Sequence, residues 1–240
     1  MSRPPTELDD DARYREWIDR IQRIKTETFT LFWNRRLFRA VQHMFETNAA
    51  LQNCGGDVWQ WVAGLYGRDA VMAIRRELDG QAGVLNLFHL LHDIEAHSHI
   101  LTRARYRGSF AELPKFPIML IDQQFERFGG PPGPGTPDDH IPAAAIAEDR
   151  AQLQRETRAV FEYAQRLVAH RTPVGELPLT LREVDAAMRA VFQCLRKYYG
   201  FLAGGSLVGP TPVPQFDWLA PFRFAWAVPD FNLPQDEFDP

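Results

Sequence analysis

Of its 240 residues the chain has only two cysteines, Cys54 and Cys194. One widely separated pair is not the dense framework that staples a small secreted domain, and neither cysteine stands in a metal-ligand spacing. Both read as small core residues, reduced in a cytoplasmic protein. No apolar run approaches the roughly 20 residues needed to cross a bilayer, which excludes a helical membrane span. The N-terminal segment lacks the apolar core of a signal peptide. Positive charge is not in excess either: 27 Lys and Arg face 31 Asp and Glu, for a net charge of −4. That balance argues against a generally basic nucleic-acid surface but leaves room for a local basic pocket. No stretch alternates apolar and polar residues with the period of a strand, and no segment repeats.

What is present is an ordinary core-forming composition. Hydrophobic residues make up 45% of the chain, enough at this length to bury one sizeable core. Thr6 reads as a helix cap ahead of Glu7, Asp9, Asp10 and Asp11, after a frayed start over residues 2–5. From Ala12 to about Thr47, Trp17, Ile21, Ile24, Thr28, Leu31, Phe32, Phe38, Val41 and Phe45 recur at three and four, as in one long amphipathic helix or two in series. A second helix, capped by Asp57, runs to about Asp79, where Gly80 and Gly83 end it. A third spans about Val84 to His97, and Leu101 to Tyr106 forms a further turn or two. Residues 108–142 change character. Pro114, Pro117 and the Pro/Gly tract over 129–137 read as a long loop inside the domain. Helical periodicity returns from Ala143 to His170. Thr180 and Glu183 make a capping box for a last helix that ends at Gly204-Gly205. The expected architecture is an all-α helical bundle over residues 1–205. A Pro-rich tail over 206–240, with Trp218, Phe222, Phe224, Trp226 and Phe231, packs on it, because so many aromatics would not stay in water.

Two groups of residues could carry chemistry. Tyr163, Arg166 and His170 fall on one side of a helix near its end, followed by Arg171. Histidine titrates near neutral pH and suits acid–base work beside cations. The same residues also fit a plain helix end, where cations are favoured and Glu162 pairs with Arg166; both readings are open. In the second helix, Asp69, Arg76 and Asp79 lie on a stripe with Val58, Val62, Leu65 and Met72. Such a helix, apolar on most sides, should be central, so these charges are expected to form a partly buried ion-pair network. The functional alternative is a pocket in which Arg75 or Arg76 holds a phosphate. His89, His92, His97 and His99 cluster without the glutamate of an H-E-x-x-H motif and read as a solvated, partly packed surface, with no metal or cofactor.

Several segments, taken in order, resemble the HEPN superfamily, specifically its abortive-infection U-type branch. They are Phe32-Trp33-Asn34-Arg35, the run from Asp69 through Ile74-Arg75-Arg76 to Asp79, Leu101-Thr102-Arg103, the run from Tyr163 to His170, Lys197-Tyr198-Tyr199, Asp217-Trp218 and Trp226. The resemblance spans most of the chain. It implies an all-α bundle that pairs as a homodimer, and a metal-independent ribonuclease of the toxin or antiphage-defence kind with an antitoxin or defence partner. His170 matches the motif histidine, with Arg166 and Tyr163 beside it as catalytic candidates. Gln165 stands where active relatives carry arginine, and Arg166 is one position closer to the histidine. Arg75, Arg76, Gln165 and Arg171 are then the candidate contacts to RNA or nucleotide. The alternatives are a catalytically silent module that binds nucleotide, RNA or a protein, and a purely structural helical dimer.

Overall fold

The computed structural model describes residues 9–52, 56–81, 83–111, 117–133, 135–166 and 179–210. The expected cap at Thr6, Cys54, His170, Arg171 and the aromatic tail beyond residue 210 lie outside the described residues. Within them the protein is all helical, with one isolated bridge between Thr102 and His140.

Helix α1 (Asp10–Thr47) is a single unbroken helix. Its cap is Asp9, whose carboxylate accepts from the Ala12 amide at 2.6 Å, with Asp10 and Asp11 in the first turn. Carboxylates there meet the unpaired amides and the positive end of the helix dipole. The stripe from Trp17 to Phe38 is buried as its spacing predicts. A short α2 (Ala49–Gln52) follows, then α3 (Asp57–Leu78). Asp57 does not cap α3. Gly56 does, with φ of 82°, a left-handed turn that favours glycine. The face of α3 expected to be inside is also wrong in part. Tyr66, Ala70, Val71, Ile74 and Leu78 are buried, while Val58, Trp61 and Leu65 are 53, 64 and 43% exposed. A helix with apolar residues on nearly every side does not specify its own inward face; its neighbours choose it.

Helix α4 (Leu87–Ala96) begins three residues later than its apolar pattern. Asn86 sets the start: its carbonyl oxygen accepts from the His89 amide, and its amide donates to the backbone oxygens of Arg76 and Asp79, both at 2.8 Å. One side chain thus ties the end of α3 to the beginning of α4. A 3-10 turn (Ser98–Ile100) leads to α5 (Arg103–Gly108), capped by the Thr102 hydroxyl. The stretch expected to be one long loop contains a further helix, α6 (Ile118–Arg127), with Ile121 and Phe125 buried. Pro117 can precede a helix without losing a needed hydrogen bond; the density of proline and glycine around α6 hid its apolar pair one turn apart. Helices α7 (Ala143–Ala164) and α8 (Leu181–Ala203) complete the set. Thr180 and Glu183 form the expected capping box, and Gly204, at φ of 62°, closes α8.

Helix α8 packs against α1, α3 and α7, and α7 also covers α3 and α4. At one end, Tyr106 of α5 stacks on Phe201 of α8 at 4.8 Å, with Phe125 and Phe128 around them. Across the bundle, Asp185 of α8 takes two hydrogen bonds from Arg35 of α1, at 2.6 and 2.8 Å, and one from Arg39 at 2.9 Å. Burial pushes against the Asp185 charge. The two guanidinium groups outweigh it and hold the carboxyl below the usual range. No described helix is long and apolar enough to cross a membrane.

Arg103 locks the segment after α6. Its side chain has 0% exposure, lies 4.7 Å above the Phe125 ring, and donates to the Pro131 carbonyl at 2.6 Å. Asp122 and Asp139 flank it at 3.4 Å. Its backbone amide donates to the Asp139 carbonyl at 2.7 Å. A Cβ at Gly135 would stand 2.0 Å from the Asp139 carboxylate and 2.7 Å from the guanidinium, so only glycine lets the chain pass there. Removing the cation leaves Asp139 without its charge partner. We expect Arg103→Ala to lose roughly 3–5 kcal/mol in urea unfolding, the usual cost of breaking a buried pair. Arg107→Ala should lose clearly less, because Arg103 still faces Asp122; equal losses would show that Arg103 is not the lock.

Candidate functional site at the end of α7 and in the α1–α3 cleft

Two places in the bundle gather the residues that the sequence singles out. The first is the end of α7. Tyr163 packs partly buried against the core. Gln165 and Arg166 follow in a wider, π-helical turn and are exposed. Arg166 makes no ion pair among the described residues. The expected Glu162–Arg166 pair is replaced by one from the preceding turn, Arg158 to Glu162 at 2.7 Å. Hydrogen bonding from Arg158 holds the Glu162 carboxyl down, with a smaller contribution from the Arg166 charge.

The second place is a cleft of about 250 Å³ between α1 and α3. Glu27, Thr28 and Asn34 line it from α1, and Asp69, Arg76 and Glu77 from α3. The partly buried network expected over Asp69, Arg76 and Asp79 is not formed. Asp69 and Arg76 are exposed. Asp69 accepts from the Asn34 amide at 3.1 Å. Asp79 ends α3, and its carboxylate accepts from the Gln81 amide at 3.0 Å. The reason is the rotation of α3: its inward face is set by Tyr66, Ala70 and Ile74, and the register that continues from them reaches Glu77 rather than Arg76. Arg75 lies on the same last turn, partly exposed.

Glu77 is the residue that sequence reasoning missed, although its place on that register is legible. It is 5% exposed. One carboxylate oxygen accepts from the Leu87 amide at 3.0 Å. Burial pushes its carboxyl up from 4.5 to about 7; the Leu87 hydrogen bond works against the rise, the Glu27 charge adds to it and the Arg76 charge opposes it. Such a group gains or loses a proton near neutral pH. Thr28, buried on the α1 stripe as its spacing predicts, was not read as a site residue. It is 2% exposed, and its hydroxyl has no hydrogen-bond partner among the described residues. Its neighbours Thr26 and Thr30 donate to the carbonyls of Gln22 and Thr26.

Several other reactive side chains are committed elsewhere. Burial pushes the Cys194 thiol up, away from the thiolate a nucleophile needs. Asp149 of α7 accepts from Lys197 and Tyr198 of α8, at 2.6 and 2.7 Å, and ties those helices together. His97 contacts Asp93, and His99 lies exposed beside Asp10. Among the described residues no grouping of His, Cys, Asp and Glu is arranged to hold a metal ion.

The Glu77 carboxyl gives a signed pH effect. Between about pH 4.5 and 7 the folded protein holds a proton that the unfolded chain has released. Stability therefore falls as pH rises through that window, by roughly 3 kcal/mol in all, since each pH step there costs about 1.4 kcal/mol. Glu77→Gln should be more stable than wild type at pH 8, with the gap narrowing toward pH 5. Urea unfolding at the two values checks this; a gap independent of pH would place the Glu77 carboxyl in solvent.

No protein family, no curated protein and no solved structure matches the chain.

Proposed function

We propose that the protein is a HEPN-like helical module that acts on RNA, of the bacterial toxin or antiphage-defence type. In this reading it works in the cytoplasm as a homodimer, with an antitoxin or other defence protein as partner. The observation that carries the reading is the end of α7. There an arginine without an ion pair among the described residues stands exposed beside a half-buried tyrosine, four residues before His170 in the sequence. An exposed guanidinium in that position can hold a phosphodiester. His170 then serves as general base toward a ribose 2′-hydroxyl or as general acid toward the leaving oxygen, and Arg166 offsets the charge that builds on phosphate. None of these steps requires a metal ion. The exposed Val58, Trp61 and Leu65 of α3 support pairing of two copies, because an unpartnered apolar face is costly in water.

One observation favours the silent alternative. Gln165, exposed at the position where active relatives carry arginine, offers a neutral hydrogen bond in place of a charge. Arg76 is weakened as a phosphate ligand by the carboxylates around it, Glu27, Asp69 and Glu77.

Incubation of the purified protein with RNA in EDTA separates the two. Cleavage by wild type should vanish in His170→Ala with the fold kept. Arg166→Ala should weaken both binding and cleavage. Binding without cleavage, with cleavage gained in Gln165→Arg, would establish the silent module. If no variant binds or cleaves RNA, the reading is wrong.

A further inference from the structure

We propose that the cleft between α1 and α3 is a binding site for a small organic cation, an aliphatic amine or guanidine. The inference goes beyond the RNA reading and does not depend on it.

Three acidic residues line this cleft, Glu27, Asp69 and Glu77, against one basic residue, Arg76. Among the described residues none of the four is in an ion pair. Asp69 has only the Asn34 amide, and Glu77 only the Leu87 amide. Elsewhere the protein pairs its charges across the same helices, as Asp185 with Arg35 and Arg39, and Asp93 with Arg13. An excess of unpaired negative charge around a concave surface favours a positive guest.

Acidity alone would not make a site. The second observation is Thr28, which lines the cleft and whose buried hydroxyl has no partner among the described residues, while the threonines on either side are satisfied. A buried hydroxyl left unbonded is costly, and here it lines the same cleft as a buried carboxyl. Together they offer acceptors for the several N–H donors of an ammonium or guanidinium. Leu31 and Ala73 supply apolar wall for an alkyl chain. The volume, about 250 Å³, lies just below the usual range of about 300–1,000 Å³ for ligand pockets, so the guest is small. A metal ion does not fit, because the carboxylates are not grouped closely enough to coordinate one. Inorganic phosphate does not fit either, being outnumbered by carboxylates.

The test is calorimetric titration of the full chain with agmatine, which carries both a guanidinium and an ammonium, alongside a titration with inorganic phosphate. Agmatine should bind saturably at one site per chain, and phosphate should give no saturable heat. Glu77→Gln, which keeps the acceptor for the Leu87 amide, should weaken agmatine by roughly tenfold, the worth of one buried charge-assisted hydrogen bond. Glu27→Gln, at an exposed position that cannot endanger the fold, should weaken it severalfold, and Thr28→Val should do the same without changing shape. Absence of agmatine binding, binding indifferent to both Glu27→Gln and Glu77→Gln, or phosphate binding that is lost in Arg76→Ala would each overturn the proposal. None of these readouts uses RNA, so their failure is separate from failure of the ribonuclease reading.

Discussion

A guanidinium with no exposed surface must find its neutralising charges inside the protein, and in this fold Arg103 finds them on two segments that are otherwise loosely specified. Asp122 comes from α6 and Asp139 from the glycine- and proline-rich stretch beyond it. The cation can be buried only if both are brought in. Once they are, Phe125 lies under the guanidinium and joins the ring cluster of Tyr106 and Phe201. That cluster seats the C-terminal end of α8, and α8 is the helix on which α1, α3 and α7 pack. Arg103 thus anchors one end of the helix on which α1, α3 and α7 pack. Gly135, where any side chain would collide with Arg103 and Asp139, shows how closely the backbone is drawn around it.

Most of the helices were legible in the sequence, and the reasons for the exceptions are specific. Where a helix has one apolar stripe and a polar remainder, as α1 and α8 do, the inward face can be read directly; in α8 the caps can be read too, and the Thr180–Glu183 box and Gly204 lie where the residues demand, whereas α1 is capped by Asp9 and not by Thr6. Where a helix is apolar nearly all round, as α3 is, periodicity gives the helix but not its rotation. Rotating α3 by one position exchanged Arg76 for Glu77 as the buried charge and turned Val58 and Leu65 outward. Helix α6 was hidden because proline and glycine dominate its surroundings, and of the apolar residues in this ten-residue helix only Ile121 and Phe125 are buried. Arg103 carried no sequence signal of its burial, since its partners lie on segments that composition reads as loop. Of the candidate site, Tyr163, Gln165 and Arg166 fall at the end of α7 as read, whereas the pairing of Glu162 was assigned to the wrong arginine.

The charge pattern distinguishes the two candidate sites. Along the bundle, arginines are largely spent on neighbours: Arg13 on Asp93, Arg105 on Asp11, Arg107 on Asp122, Arg150 on Glu95. A protein with net charge −4 does not attract polyanions over distance, so any contact with RNA has to be made locally by groups left unspent. Arg166 is such a group among the described residues, four positions before His170 in the sequence. The cleft has the opposite character. Its one arginine is outnumbered, and its carboxylates lack the partners found elsewhere.

Glu77 is the point at which stability and use diverge. The α3–α4 junction is already held by Asn86, which caps α4 and binds two carbonyls of the α3 end. The Leu87 amide that Glu77 accepts is one of the first amides of α4, a group that water or another cap satisfies in most helices. A buried carboxyl that must either hold a proton near neutral pH or bear an uncompensated charge gives little in return for that single bond. Apolar or amide side chains of similar size would fill the place with less strain on the fold. Conflicts of this kind between local chemistry and the packed core are expected at sites that bind or react, and rarely elsewhere. The same conflict recurs one helix away at Thr28, and the two groups line the same cleft. Their coincidence is what separates the cleft from an ordinary groove between helices.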